Sequence, residues 1–142
     1  MLKAGIQKNI GDLTIKAHDA GFPYNYLWTF SFEIIQGEKV LYFESHVDKP
    51  SRIKQNDLKA DCAILTTEEV KILGLLPLSN SSETTLEILK ELECKNIMIQ
   101  GSDPAETKGL ISYFLKIGKE NLGVFKNNNI NVYKDPGSEV II

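Results

Sequence analysis

Alternation of apolar and polar residues over the first 47 residues constrains the fold of this chain more than any other feature. Residues 13–17 alternate with a period of two, and an aromatic and β-branched run covers residues 26–35. A turn-forming segment at 36–39 follows, and residues 40–47 alternate again. A period of two places successive side chains on opposite faces of a strand. The pattern predicts three consecutive antiparallel strands, of which the last two form a β-hairpin.

Helix-start signals appear in the middle of the chain. Thr66 and Glu69 have the spacing of a capping box, and they predict a helix that ends before Pro77. Asn80 and Glu83 form a second box, which predicts a helix whose apolar stripe ends at residue 92. The polar segment before them, residues 48–60, predicts a loop or a short helical turn.

The last third of the chain continues the alternation of strand and helix. Residues 95–100 form a short apolar run that predicts a strand. Asp103 followed by Pro104 predicts the start of a third helix, because aspartate is a favoured N-cap and proline a favoured first helical residue. Residues 130–133 predict a last short strand.

The predicted order is therefore β-β-β-α-(α)-β-α-β, a single α/β domain over residues 1–142. Its mixed sheet has three antiparallel strands followed by alternating helices and strands. A chain of 142 residues with 42% hydrophobic residues is long enough to bury a core. The net charge of −3 excludes a broad basic surface, so any nucleic-acid binding would depend on a local site.

Cysteine and histidine usage predicts a reducing compartment and argues against zinc. Cys62 and Cys94 lie 32 residues apart in apolar surroundings, which favours buried thiols, although a single bridge stays open. There is no CxxC motif, and His18 and His46 are the only histidines. No signal-peptide pattern and no run of about 18 apolar residues occurs. We therefore expect a cytoplasmic protein with no membrane partner.

Several of these segments resemble the ribonuclease H-like family. Residues 15–21 look like the family's first strand, which ends in a metal-binding aspartate, and residues 28–45 look like its second and third strands. Residues 68–75 are similar to the helix that carries the family's catalytic glutamate. Residues 95–103 are similar to its fourth strand and the turn that follows. The resemblance spans residues 12–134.

The resemblance implies a metal-dependent site made of Asp19, Glu68 and Asp103. In this family two Mg²⁺ or Mn²⁺ ions activate a water molecule for phosphodiester hydrolysis, so these carboxylates would be both catalytic and metal-binding. The implied substrate is RNA or an RNA–DNA hybrid. This sequence has Ser102 where the family has its second aspartate, and the choice between Glu68 and Glu69 stays open.

Structural roles compete with these functional ones. Asp103 is also a good helix cap, and Asp19 is also a good turn residue. A modest basic segment, formed by lysines and an arginine, is expected either to be solvated or to touch phosphates. An aromatic series at every second position predicts core packing, with base stacking as the alternative. The basic segment consists of Lys49, Arg52, Lys54 and Lys59. The aromatic series consists of Phe22, Tyr24, Tyr26, Trp28, Phe30 and Phe32.

Two further hypotheses compete with a nuclease. The chain can instead be a non-catalytic binding or interaction protein, such as an inhibitor or a ligand-binding module on an α/β scaffold, with a protein partner. A third interpretation notes a strand-helix-helix-strand rhythm over residues 60–101 that is seen in sugar-kinase-like enzymes. The absence of a glycine-rich phosphate loop places this third interpretation last.

Overall fold

A seven-stranded mixed sheet forms the centre of this computed structural model, which describes residues 5–19, 30–44, 47–100, 110–135 and 137–142. Four successive strands pair antiparallel along one half of the sheet. They confirm the predicted hairpin and add one strand before the first predicted one. These strands are β1 (Gln7–Ile10), β2 (Leu13–Asp19), β3 (Phe30–Gln36) and β4 (Lys39–Phe43).

The other half of the sheet is parallel and is connected through helices. Parallel strands need such crossover connections, because consecutive strands must run in the same direction. The elements of this half are α1 (Pro50–Gln55), β5 (Cys62–Leu65), α2 (Ser82–Glu91), β8 (Asn96–Ile99), α3 (Gly123–Lys126) and β10 (Asn131–Tyr133). The strands of the whole sheet have the order β1-β2-β3-β4-β5-β8-β10.

A second, three-stranded sheet replaces the helix predicted after Thr66. That prediction is wrong because Val70 and Ile72 follow a strand period, and because Leu73 and Gly74 adopt positive φ angles of 52° and 69° that make a turn. The strands are β6 (Val70–Ile72), β7 (Leu76–Ser79) and β9 (Leu115–Ile117), in the order β7-β6-β9. A 3-10 helix, Leu110–Phe114, precedes β9.

The remaining element predictions have mixed outcomes. The helix predicted from Asn80 is confirmed as α2, although its N-cap is Ser81, whose side chain accepts a hydrogen bond from the Thr84 amide. The strands predicted at 95–100 and 130–133 are confirmed as β8 and β10. The helix start predicted at Asp103 lies outside the described residues.

The strand order overturns the arrangement that a ribonuclease H-like fold would give. That arrangement would put the strand ending in Asp19 beside the strand at 95–100. Instead β3, β4 and β5 separate β2 from β8. At about 4.8 Å per strand, the four spacings from β2 to β8 amount to about 19 Å. The difference arises because the parallel strand β5 pairs with β4 and not with β2, whose other neighbour is β1.

Five strands of the large sheet end at the same edge. Because β2 and β4 are both antiparallel to β3, they point the same way, and β5, β8 and β10 run parallel to β4. We call this the carboxyl edge, defined by the residues at and directly after the C-terminal ends of these strands. In open α/β sheets, ligands commonly bind at this edge.

The hydrophobic core lies between one face of the large sheet and the helices. The sheet supplies side chains that alternate along β4, β5 and β8, and Leu89 of α2 and Phe125 of α3 cover them. Both cysteines are free and buried in the structure, which confirms the prediction of buried thiols. The fully buried core residues include Tyr42, Ala63, Leu65, Ile88, Leu92 and Ile97.

We expect Leu89→Ala to lower the free energy of unfolding by about 2–5 kcal/mol, because it leaves a cavity in the core. Leu75→Ala is the matched control, since Leu75 is 83% exposed and Leu89 is 0% exposed. The control should change stability by less than about 0.5 kcal/mol. Urea unfolding followed by circular dichroism measures both. Equal losses would contradict this assignment of the core.

Candidate functional site

A cluster of buried polar side chains lies at the carboxyl edge. Buried polar groups are costly unless each finds a hydrogen-bond partner, so such a cluster marks either a structural network or a site. Its members come from the loops after β4 and β5 and from the start of α2. They are Glu44, Asp48, Thr67, Asn80, Ser82 and Thr85, each at most 5% exposed.

Asp48 is the most heavily bonded member of this cluster. Arg52 donates from Nε to Asp48 Oδ1 at 2.6 Å and from Nη2 to Asp48 Oδ2. The hydroxyl of Tyr42 also donates to Oδ2, and the amide of Lys49 donates to Oδ1 at 2.8 Å. Asp48 and Arg52 form an i,i+4 pair across the start of α1, and this spacing brings the guanidinium and the carboxylate together. Both oxygens of Asp48 are therefore committed to protein donors.

Arg52 extends this network across the sheet. Its Nη2 atom donates to Ser31 Oγ at 2.7 Å and to the Tyr42 hydroxyl at 2.6 Å. The side chain of Arg52 is only 11% exposed. The sequence predicted a solvated or phosphate-contacting residue here. The structure instead makes Arg52 the buried counter-charge of Asp48.

Glu44 lies beside Asp48 and has a raised pKa. Burial and the negative charge of Asp48 raise the pKa of Glu44 to about 8. Its Oε1 accepts from Asn80 Nδ2 at 2.5 Å, and its Oε2 accepts from the Thr66 amide at 3.3 Å. Asn80 Nδ2 also donates to the Asp48 carbonyl at 3.1 Å. Glu44 is therefore mostly protonated and neutral at pH 7.

A second charged group, the ion pair of Glu120 and Lys134, lies at the edge on the side of β10. Thr67 Oγ1 donates to Glu120 Oε1 at 2.5 Å, and Lys134 pairs with Glu120 Oε2. Burial raises the pKa of Glu120, but the hydrogen bonds from Lys134 and Thr67 outweigh it and lower the pKa overall. Ser82 Oγ anchors this region by donating to the Thr67 carbonyl at 2.8 Å. Glu120 is thus an ionised, paired carboxylate.

The structure describes two of the three predicted metal ligands, Asp19 and Glu68, and places them after different strands of the sheet. Asp19 is the last residue of β2 and lies opposite Phe30 in the register. Glu68 follows β5, and its carbonyl accepts a hydrogen bond from Ser79 Oγ at 2.5 Å. Asp103 lies outside the described residues, so a shared site for the three acids stays a prediction. Within the described part of the chain, no group of three His, Cys, Asp or Glu residues is placed to hold a metal ion.

The other singled-out residues have structural partners where they are described. His18 Nε2 lies 2.8 Å from Glu33 Oε2, and the hydrogen bond from His18 lowers the pKa of Glu33. Glu69 pairs with Lys71 at 2.8 Å. Phe30 and Phe32 are half-buried in β3. His46 and the aromatic residues from 22 to 28 lie outside the described residues.

Of the four residues that organise the edge, sequence reasoning missed Glu44 and Asp48. It named Arg52 and Asn80 only for other roles, in a basic segment and at a helix start. One available signal was the Asp48-x-x-x-Arg52 spacing around Pro50, which is typical of a helix start with an i,i+4 ion pair. Another was Glu44 within the apolar alternation of residues 40–47. Nothing local indicated that Asn80 would reach Glu44, because 36 residues separate them.

Comparison with solved structures assigns the fold. The chain superposes on the metallo-β-lactamase fold protein YhfI from Bacillus subtilis with a TM-score of 0.61 and 12% identity, over 94% of this chain and 50% of YhfI. It superposes on CmlA, a diiron β-hydroxylase from Streptomyces venezuelae, with a TM-score of 0.62 and 11% identity, over 92% of this chain and 32% of CmlA. The chain therefore spans about half the length of YhfI and a third of CmlA.

A third solved structure agrees with these two. It is a Thermotoga maritima protein assigned as a Zn-dependent hydrolase of the metallo-β-lactamase superfamily, with a TM-score of 0.59, 11% identity, and coverage of 94% of this chain and 70% of that one. No protein family model and no curated protein matches the sequence. The fold is metallo-β-lactamase-like, and the resemblance to ribonuclease H-like proteins is wrong. Among the described residues, no helix is long and apolar enough to cross a bilayer.

We expect the stability of the protein to fall as pH rises from 5 to 8, because of Glu44. Its folded pKa of about 8 lies above its ordinary value of 4.5, so over this range the folded state keeps a proton that the unfolded state releases. Glu44→Gln removes this contribution. The free energy of unfolding of the variant, relative to that of wild type, should therefore be higher at pH 8 than at pH 5 by about 3 kcal/mol.

Glu120→Gln is the matched control for this experiment. The pKa of Glu120 is lowered, so its contribution is present above its unfolded pKa and is lost only as pH falls further. The control should therefore show no comparable change between pH 5 and pH 8. Denaturant unfolding at both pH values measures the effect. A Glu44→Gln variant with the same pH slope as wild type would contradict a buried, protonated Glu44.

Proposed function

We propose that this chain is a non-catalytic binding domain on a metallo-β-lactamase-like fold. The carrying observation is that three clustered carboxylates of its carboxyl edge already accept hydrogen bonds from protein donors. Asp48 is bonded by Arg52 and Tyr42, Glu44 by Asn80, and Glu120 by Lys134. The chain thus has the metallo-β-lactamase-like fold, while these side chains bond to one another.

The charge balance of the edge supports the same proposal. Asp48 is neutralised by Arg52 and Glu120 by Lys134, while Glu44 carries a proton at neutral pH. A divalent cation is stabilised by ligands with net negative charge, and it would be repelled by the nearby guanidinium. Binding through Asp48 would also leave Arg52 buried without its partner, which is strongly unfavourable. The residues of this network do not fit a metal ion.

A second candidate function is metal-dependent hydrolysis, and the fold favours it. The solved neighbours include proteins described as Zn-dependent and diiron. In that case the metal would be held by residues outside the network above, and Asp19, Glu68 and Asp103 are the proposed ligands. Zinc or iron would then be the ion to test first, in place of the predicted Mg²⁺ or Mn²⁺. RNA or RNA–DNA hybrid binding stays a prediction, as does a protein partner.

We expect purified protein that has been incubated with Zn²⁺, Fe²⁺, Mg²⁺ or Mn²⁺ and gel-filtered to retain well under a stoichiometric amount of metal. Elemental analysis measures the retained metal, and thermal unfolding in the same solutions should show no stabilisation, because a bound ion would raise the midpoint. Hydrolysis of chromogenic phosphodiester and β-lactam substrates should not exceed the metal-only rate.

Asp19→Asn provides the comparison that separates the two candidates. Under the binding-domain proposal the variant and the wild type behave alike in every metal assay. Stoichiometric zinc or iron in the wild type, together with hydrolysis that Asp19→Asn abolishes, would overturn the proposal and support the hydrolase. Fluorescence anisotropy with a labelled RNA–DNA hybrid tests the nucleic-acid prediction on the same samples.

A further inference from the structure

A cavity of about 230 Å³ opens on one face of the large sheet, over its first three strands. These strands place alternate side chains on the same face, and the register puts Lys8 beside Ile15 and Ala17 beside Phe32. We call this space the sheet cavity. Its described lining residues are Ile6, Lys8, Ile15, Ala17 and Phe32.

The sheet cavity lies on the face opposite to the hydrophobic core. Phe32 is paired with Phe43 in the register, and the centroids of the two rings are 6.4 Å apart. Phe43 directly follows the core residue Tyr42, so its side chain points to the other face of the sheet. The cavity is therefore distinct from the core, and the buried network of the carboxyl edge does not line it.

The small side chain of Ala17 creates the cavity. Ala17 is only 2% exposed, and its neighbours on the same face, Ile15 and Phe32, are much larger. The amide of Ala17 donates to the Ile6 carbonyl at 2.9 Å, and its carbonyl accepts from the Gly5 amide at 2.8 Å, which fixes the floor against the rim. An apolar cavity of about 150 Å³ can stay dry and bind benzene, so this larger one suits a short acyl chain.

Lys8 is the only charged side chain among the described lining residues. Within the part of the chain that the structure describes, it takes part in no ion pair. A lysine lays its methylene groups along apolar surface and keeps its ammonium group in water. The positive charge therefore lies at the mouth of the cavity.

The acidic residues of the first three strands and of the turn between β1 and β2 do not neutralise Lys8. Glu33 points to the other face of the sheet, where it pairs with a histidine. Asp12 accepts a hydrogen bond at 2.5 Å from a glutamine side chain of β3. Asp19 has a partner of its own and lies beyond Ala17, at the end of β2 that is farther from Lys8. The charge of Lys8 is thus available to a ligand.

We propose that the sheet cavity binds a small amphipathic carboxylate, such as a short fatty acid. The apolar chain would contact Ile15, Ala17 and Phe32, and the carboxylate would pair with Lys8 at the mouth. A cationic ligand of the same length would be repelled by the lysine. This inference goes beyond the proposed function, because it assigns a class of ligand to a surface apart from the carboxyl-edge network.

Titration of the full chain with sodium octanoate, followed by ¹H–¹⁵N NMR, tests the proposal. The amides of Ile15, Ala17 and Phe32 should shift in a saturable way, with a dissociation constant of about 1 mM or lower. Octylammonium has the same chain and the opposite charge, and it should bind about ten-fold more weakly because it loses the ion pair and is repelled.

Three variants make the test specific. Ala17→Leu fills the cavity and should weaken octanoate binding by about ten-fold or more, while thermal unfolding stays cooperative. Lys8→Gln should weaken octanoate binding by about three-fold, since an exposed ion pair contributes modestly, and it should leave binding of 1-octanol unchanged. Lys16→Gln is the matched control, because Lys16 lies on the same strand as Ala17 but on the other face, and binding should not change.

Four outcomes would overturn the proposal. The first is the lack of saturable shifts with octanoate up to about 10 mM. The second is octanoate binding that a folded Ala17→Leu variant retains, and the third is equal binding of octanoate and octylammonium, which decides the question even if Ala17→Leu does not fold. The fourth is a dimer, detected by light scattering, that Ala17→Leu dissociates, because a second copy would then occupy the cavity. Elemental analysis and hydrolysis assays do not report on this cavity, so the proposed function can fail separately.

Discussion

The buried ion pair between Asp48 and Arg52 is the interaction on which the carboxyl edge depends. Removing either partner would leave an uncompensated charge in a low-dielectric environment, which is far more costly than losing an exposed pair. The pair also fixes architecture, because α1 begins two residues after Asp48, at Pro50, and starts the crossover from β4 to β5. Through Ser31 and Tyr42, Arg52 ties that helix to β3 and β4.

The strands of the large sheet were largely predictable, because they depend on a local pattern. The period of two in residues 13–17 and 40–47 follows from burial of one sheet face, and no distant contact is needed to recognise it. The helix expected after Thr66 fails for a different reason. Thr66 and Glu69 have capping-box spacing, but the Thr66 hydroxyl accepts from the Asn80 amide at 3.1 Å, a contact that only the folded chain supplies.

The candidate site was much less predictable than the fold. Its organising contacts join residues far apart in the sequence, such as Glu44 with Asn80 and Thr67 with Glu120, 53 residues away. A carboxylate in the sequence has the same appearance whether it binds a metal, pairs with arginine or carries a proton. Desolvation and neighbouring charge decide between these states, and both depend on the three-dimensional arrangement. Strand order is a global property in the same way, which is why the first family resemblance failed.

A fold shared with metal-dependent hydrolases does not by itself carry their chemistry, because function depends on the side chains at the site. The raised pKa of Glu44 makes this concrete. A strong cation beside Glu44 and Asp48 would hold both carboxyl groups ionised, whereas one guanidinium compensates one charge and the second acid retains its proton. The donors that Asp48 and Glu44 already have within the chain, Arg52 and Asn80, are therefore the physical reason for proposing a binding domain rather than a metal-dependent hydrolase.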